Sequence, residues 1–402
     1  MADSYAALIP VASASDLERQ SEQRNAELQA QPEIQGLASH VRRRWENALH
    51  ARRELEERML QCLRQRNGEY DPDIQSQIAQ QGGSEIFVRL TSVKCRAATS
   101  WLRDTLLGNG SDKPWSIEPT PVPEMPGGLV DGLQAELARK MQEQLSSGLE
   151  MPSPEELRQI ADDMKDKAER ALKEDSEERV DRMELKMEDQ LAEGGWIKAF
   201  NEFLDDIVTF PFAALKGPMK RKRKVMKWVN GELKPQDVIR NEWERVNPFM
   251  LYWAPWASDI NDGYVIERHK LTAVELQALI GVPGYNEDAI RSVLANFGGG
   301  NLANWLWLDT EVADAEGKNP YYAVNTQDTV DALQMWDEVN GSLLREWGMS
   351  EADVPDKDLS YSCEIWLIRN IVIKAVLNYD PVARKPYYIA SYESKPGSVD
   401  GN

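Results

Sequence analysis

The run Val225-Met226-Lys227-Trp228-Val229, followed by Asn230-Gly231 and then Glu232-Leu233-Lys234, marks where the chain changes character. Asn-Gly accepts the positive φ values of a type I′ turn, so the short runs on either side of it predict a β-hairpin. Upstream of Gly217-Pro218 the apolar residues recur every three or four positions; downstream they come in short strand-like runs between turn residues. This change of period predicts an α+β fold, a long-helix N-terminal region followed by a β-rich domain with hairpins and short helices. The expected divisions are a polar N-terminal helical arm at 1–67, a helical region at 68–216 and a β-rich region at 217–402.

Beyond the hairpin, strands are expected at Glu242–Val246, Met250–Trp253 and Tyr264–His269. Thr272 and Glu275 have capping-box spacing for a helix to about Ile280, and Asn286 can cap another running to Phe297. Gly298-Gly299-Gly300 breaks the chain. Tyr361–Ile368, Ile371–Leu377 and Tyr387–Tyr392 read as three successive strands of a meander.

Upstream, residues 14–67 read as one or two polar helices. Leu17, Ala26, Leu37, Val41, Trp45, Leu49, Leu55, Met59 and Leu63 form a seam that suits packing against one neighbouring helix, of the same chain or of another subunit. Ile86, Leu90, Val93, Ala97, Trp101, Leu102 and Leu106 predict a buried helix, stopped at Gly108-Asn109-Gly110. The prolines between Lys113 and Pro123 force an extended strap. Pro152–Gly194 is a charged helix with acid-first pairs at Asp163/Lys167, Glu169/Lys173, Asp175/Arg179 and Glu178/Arg182, the pattern of a solvated face. A more apolar helix follows from Trp196 to Thr209, ended by Phe210-Pro211; on it, Asp205 and Asp206 diverge by about 100 degrees and are expected to face solvent.

The 402 residues carry 47 basic and 67 acidic side chains, a net charge of -20, which opposes a general coating of nucleic acid and restricts any DNA contact to a local patch. No run approaches the roughly 18 apolar residues of a membrane span, so no membrane partner is expected. Met1-Ala2-Asp3-Ser4 lacks the layout of an export signal. Cys62, Cys95 and Cys363 are odd in number and far apart, so disulfides are not expected. The three histidines, His40, His50 and His269, have no zinc-like spacing, and there is no phosphate-cradling loop, dinucleotide fingerprint or nucleophile elbow. No catalytic residue, metal or cofactor is therefore assigned. Asp259-Ile260-Asn261-Asp262-Gly263 departs from a calcium loop, with Lys270 at the twelfth place, and reads as a turn.

Two features remain. The 13 Trp residues either anchor the core against amphipathic helices or are covered by a partner. The cluster Lys220-Arg221-Lys222-Arg223-Lys224 leads straight into the hairpin, where alternate side chains face opposite sides. It reads either as an edge strand guarded by cations or as a basic belt contacting DNA, an acidic neighbour or another subunit.

Several segments together resemble the portal proteins, or head-to-tail connectors, of short-tailed bacteriophages and related prophages. They are Val93-Lys94-Cys95-Arg96-Ala97-Ala98 with Trp101-Leu102, Pro114 to Pro121, Trp243-Glu244-Arg245-Val246-Asn247-Pro248-Phe249, Tyr264 to Thr272, and Pro386 to Tyr392. The resemblance lies in their order from about Asp71 to the end, and it corresponds to the wing part of such proteins. It implies a non-enzymatic virion protein, a homo-oligomeric ring of about twelve copies at the capsid vertex. Such a ring passes double-stranded DNA during packaging and ejection, and docks the terminase large subunit, the major capsid or scaffolding protein and the tail adaptor proteins. It is assembled in the host bacterial cytoplasm. The family normally continues into a stem and clip; this sequence stops at Asn402, where that continuation should begin, so the resemblance implies that both are missing from it. The same residue patterns also fit an alternative, a cytoplasmic helical scaffold or adaptor that binds another protein.

Overall fold

The computed structural model describes residues 36–84, 86–108, 115–119, 154–229, 232–295, 297, 307–318, 329–378 and 380–401, with isolated positions between 132 and 142. The fold is α+β. Helices α1 (Leu37–Asn67), α2 (Pro72–Gln81), α3 (Leu90–Leu107), α4 (Pro154–Glu193) and α5 (Trp196–Thr209) precede the strands. Strands β1 (Ala213–Val229), β2 (Glu232–Val246), β3 (Leu251–Trp253) and β4 (Val265–Thr272) follow, then α6 (Ala273–Ala278), α7 (Glu287–Ala295) and α8 (Trp307–Ala315). The chain closes with β5 (Thr329–Asn340), α9 (Gly341–Trp347), β6 (Ser360–Ile368), β7 (Ile371–Leu377) and β8 (Tyr387–Ala390). Two compact units are formed: Met1–Thr99 with Phe200–Gly217 and Arg245–Asn402, and Ser100–Ala199 with Pro218–Glu244.

The first unit is built on a five-stranded antiparallel sheet in the order β3-β4-β5-β6-β7. Leu37, Val41, Trp45 and Ala48 of α1 pack with Tyr252, Ile266, Leu333, Met335, Ile365 and Leu367. The Trp45 ring meets Tyr252 edge-on at 4.4 Å. Further along α1, Met59 and Leu60 join Phe212, Leu251, Val265, Trp336 and Tyr387 in a second cluster. The seam of this helix packs on the sheet, and the helix also lies against neighbouring helices, α8 with Val312 and α9 with Leu344. Charged residues fill the flanks of the seam because they too find partners: Arg52, 5% exposed, lies over the rings of Tyr252, Trp253 and Phe212 and donates to the Pro248 carbonyl. Glu56 accepts from the Tyr252 hydroxyl at 3.0 Å.

Strand β5 has no counterpart in the sequence reading, and it is central. Strand β8 corrects the predicted meander. Instead of lying beside β7, it pairs with the start of β1, Ala213 opposite Ala390 and Lys216 opposite Tyr387, giving a three-stranded sheet in the order β2-β1-β8. The capping box at Thr272 and Glu275 forms as expected, and Asn286 Oδ1 accepts from Ala289 N at 3.1 Å at the head of α7. Asp259 to Asp262 form the expected turn, with Asp262 Oδ2 accepting from Asp259 N at 2.9 Å. The three cysteines are free.

In the second unit α4 runs 40 residues and α5 follows, divided between the two units. Of the four acid-first pairs, Asp175 and Arg179 meet at 2.7 Å, while Lys165 with Glu169 and Lys173 with Glu177 pair in the other order. The strap at Trp115–Pro119 has no regular structure, and Ile117 N donates to Glu184 at 2.7 Å. Strands β1 and β2 are far longer than the predicted hairpin arms, and the segment Glu242–Val246 is the end of β2. The turn residues Asn230 and Gly231 lie outside the described residues, as do residues 14–35 and Gly298–Gly300. Trp243 N donates to the Gly194 carbonyl at 3.1 Å, an approach open only to glycine because a Cβ on Gly194 would collide with the Asn241 carbonyl and the Trp243 ring.

Trp45→Ala removes the largest side chain that α1 places on the sheet. It is expected to cost about 3–5 kcal/mol in chemical denaturation. A loss below 1 kcal/mol would contradict the packing of this helix on the core.

Candidate functional site

The basic cluster Lys220–Lys224 lies in β1, where alternation divides it. Arg221 Nη2 donates to both carboxylate oxygens of Glu244 at 2.7 Å. Arg223 holds Glu242 at 2.5 and 2.7 Å, and Arg221 also lies 3.8 Å from Glu242. Lys222 pairs with Asp237 at 2.8 Å. Three of the five cations are therefore matched by carboxylates of β2, and Lys220 and Lys224 make no ion pair among the described residues. Hydrogen bonding from Arg223 holds the Glu242 carboxyl below its usual range, and Lys222 does the same for Asp237. From Pro218 onward β1 has β2 as its neighbour among the described residues, because β8 covers only Ala213–Lys216.

Where β1 begins, its charge is handled differently. Lys216 is 2% exposed and reaches Glu267 of β4 at 2.5 Å and Gln334 of β5 at 2.6 Å. Tyr387 of β8 donates to the same Glu267 oxygen at 2.8 Å. Gln334 Nε2 then donates to Glu364 of β6 at 2.7 Å, and Glu364 also accepts from Trp366 at 2.6 Å and from Lys374 of β7 at 2.7 Å. His269 contacts Gln334 Oε1 at 2.9 Å and stacks on Trp366. The register makes this row possible: Glu267 is opposite Gln334, Gln334 opposite Trp366, and Trp366 opposite Lys374. Burial would raise the Glu267 carboxyl, but Lys216 and then His269 outweigh it and hold it well below the ordinary carboxylate value. A carboxylate with this many donors fastens strands together.

Other buried charges follow the same rule. Arg268 bridges Asp309 of α8 and Asp331 of β5 at 2.7 and 2.9 Å, and Asp337 takes His40 and Arg44 of α1 at 2.9 and 3.2 Å. Asp205 and Asp206 part company as their spacing requires. Asp206, however, is 5% exposed and bound by Arg245 at 2.5 and 2.8 Å, against the expectation that both face solvent. Burial raises the Asp206 carboxyl even so. Among the described residues no group of three or more metal-ligating side chains forms a cation site, and no helix is long and apolar enough to cross a membrane.

Lys220–Lys224 stand out in the sequence, whereas the Lys216–Lys374 row does not. A signal was present in the polar residues set inside apolar runs, Glu267 after Val265-Ile266, Gln334 between Leu333 and Met335, and Glu364 between Cys363 and Ile365. The partners are remote in sequence, which hides the row. Comparison with known proteins finds no family model and no curated protein that matches the chain.

Lys216→Met strands a buried carboxylate and is expected to cost about 3–5 kcal/mol at neutral pH. Glu267 is lowered in the folded state, so its contribution is present above the ordinary carboxylate value of 4.5 and is lost as pH falls below it. The gap between wild type and Lys216→Met in thermal denaturation should therefore narrow as pH drops through 4.5. The double variant Lys216→Met/Glu267→Gln should recover part of the loss. By contrast Arg223→Gln, at an exposed pair, should cost less than about 1 kcal/mol.

Proposed function

We propose that the chain is a structural subunit of a phage portal ring, forming the passage for double-stranded DNA at the capsid vertex. The observation that carries the reading is on α3, which bears two of the segments resembling portal proteins, Val93–Ala98 and Trp101-Leu102. The apolar side chains of this helix, predicted to be buried, are instead at the surface: Leu90, Val93 and Trp101 are exposed, as are Ile86 and Val88 just before it, and only Cys95 and Thr99 are buried. Apolar surface of this kind on a water-soluble subunit is a feature of association sites. It agrees with a subunit whose sides are covered by copies of itself.

Charge supports the same reading. A net charge of -20 repels phosphate, so DNA passing a wall of such subunits slides instead of adhering. In this role the terminase large subunit supplies the packaging energy, and the tail adaptors and the capsid or scaffolding protein dock on the assembled ring in the virion. The chain itself needs no nucleotide chemistry.

Negative-stain microscopy and mass photometry of the chain test the proposal. Rings of about a dozen subunits are expected. A strict monomer at every concentration would contradict the proposal and favour a scaffold or adaptor.

A further inference from the structure

The β1–β2 ribbon combines surplus positive charge with bare apolar surface. Pro218–Lys234 holds seven cations against one carboxylate, in a chain of net charge -20. After β2 has matched Arg221, Lys222 and Arg223, Lys220 and Lys224 remain without an ion-pair partner among the described residues. Toward the end of β1, on the same alternation as these two lysines, Met226 is 53% and Trp228 74% exposed.

Helix α4 is complementary to it. Pro154–Glu193 contains fifteen carboxylates against eight cations. Glu174, Glu178, Asp181 and Leu185 fall at i, i+4, i+7 and i+11, within one narrow stripe, and all four are exposed, Leu185 at 62%. These three carboxylates take no part in the helix's own ion pairs. Within one chain the ribbon and α4 meet elsewhere, through Trp243 with Gly194 and Arg240 with Glu193. The exposure of both Trp228 and Leu185 means that neither covers the other within the chain.

We infer that the ribbon of one copy docks on the acidic stripe of α4 in a second copy, with Trp228 against Leu185 and Lys224 against Glu174 and Glu178. The dimensions agree. Trp228 to Lys224 spans about 13 Å of strand, and Leu185 to Glu178 and Glu174 about 10–16 Å of helix. The surface on one copy differs from the surface it meets on the next, so the contact is heterologous and propagates head to tail, closing as a ring where the rotation allows. This inference rests on the ring reading above and specifies one of its contacts.

Sedimentation velocity of the full chain, with charge reversal on each side, tests it. Lys220→Glu/Lys224→Glu, and separately Trp228→Ala, should weaken self-association about tenfold or more. Wild-type association should weaken as salt rises. Glu174→Lys/Glu178→Lys should weaken it likewise, and mixing the two charge-reversed proteins should restore association between them. All the changed side chains are exposed, so circular dichroism melts should match wild type. Wild-type assembly by the lysine variant would overturn this contact while leaving the ring reading in place. A wild-type chain that stays monomeric would overturn both. Normal assembly with lost binding to a double-stranded DNA probe would assign the ribbon to DNA and overturn the inference.

Discussion

A buried charge must be answered by a partner, and in this protein strand β5 is where most of the answers meet. Thr329–Asn340 is covered on both faces, yet it carries Asp331, Gln334 and Asp337. Each would cost several kcal/mol if left unpaired. Asp331 is taken by Arg268, Asp337 by His40 and Arg44, and Gln334 by Lys216, His269 and Glu364. These partners come from β4, α1, β1 and β6. Satisfying one strand therefore requires helix α1 on one side and the β1–β8 pairing on the other, and the apolar clusters fill the space that this arrangement fixes.

The same dependence explains what could be read in advance. Local signals were legible: the capping box at Thr272 and Glu275, the helix Trp196–Thr209 stopped by Phe210-Pro211, and strand Ile371–Leu377. Strand β5 was not, because polar residues interrupt its alternation and their partners lie up to 297 residues away in sequence. The partner of Asp206 is hidden in the sequence for the same reason, since Arg245 arrives from the end of β2. Strand β8 is too short to specify its neighbour and follows β7 in sequence, so a meander was the simplest expectation; the Tyr387 hydroxyl on Glu267 and the pairing with Lys216 decide otherwise. For the basic cluster, composition gave the cations but not the carboxylates of β2 that match three of them.

Inside the first unit buried charge is fastened; in the second, Lys220 and Lys224 of β1 and Glu174, Glu178 and Asp181 of α4 are left exposed. The contrast between Lys216, with three polar groups around it, and Lys220 and Lys224 four and eight residues further along the same strand separates the two uses. Fixed ion pairs in the sheet give a rigid scaffold, and the exposed apolar residues of α3, the cationic ribbon and the acidic face of α4 provide surfaces of opposite character on a single chain. The proposed ring would use both, the firmly held sheet within each copy and the exposed surfaces for contact between copies.

The scaffold half of this account depends on β5 being the most firmly held element. Native-state hydrogen exchange followed at single amides measures that directly. The amides of Leu333 to Trp336 should exchange only through global unfolding and be the slowest in the chain, with α2, which buries no residue, exchanging far sooner. If those β5 amides exchange as fast as α2, the polar row does not hold the sheet together and the account is wrong.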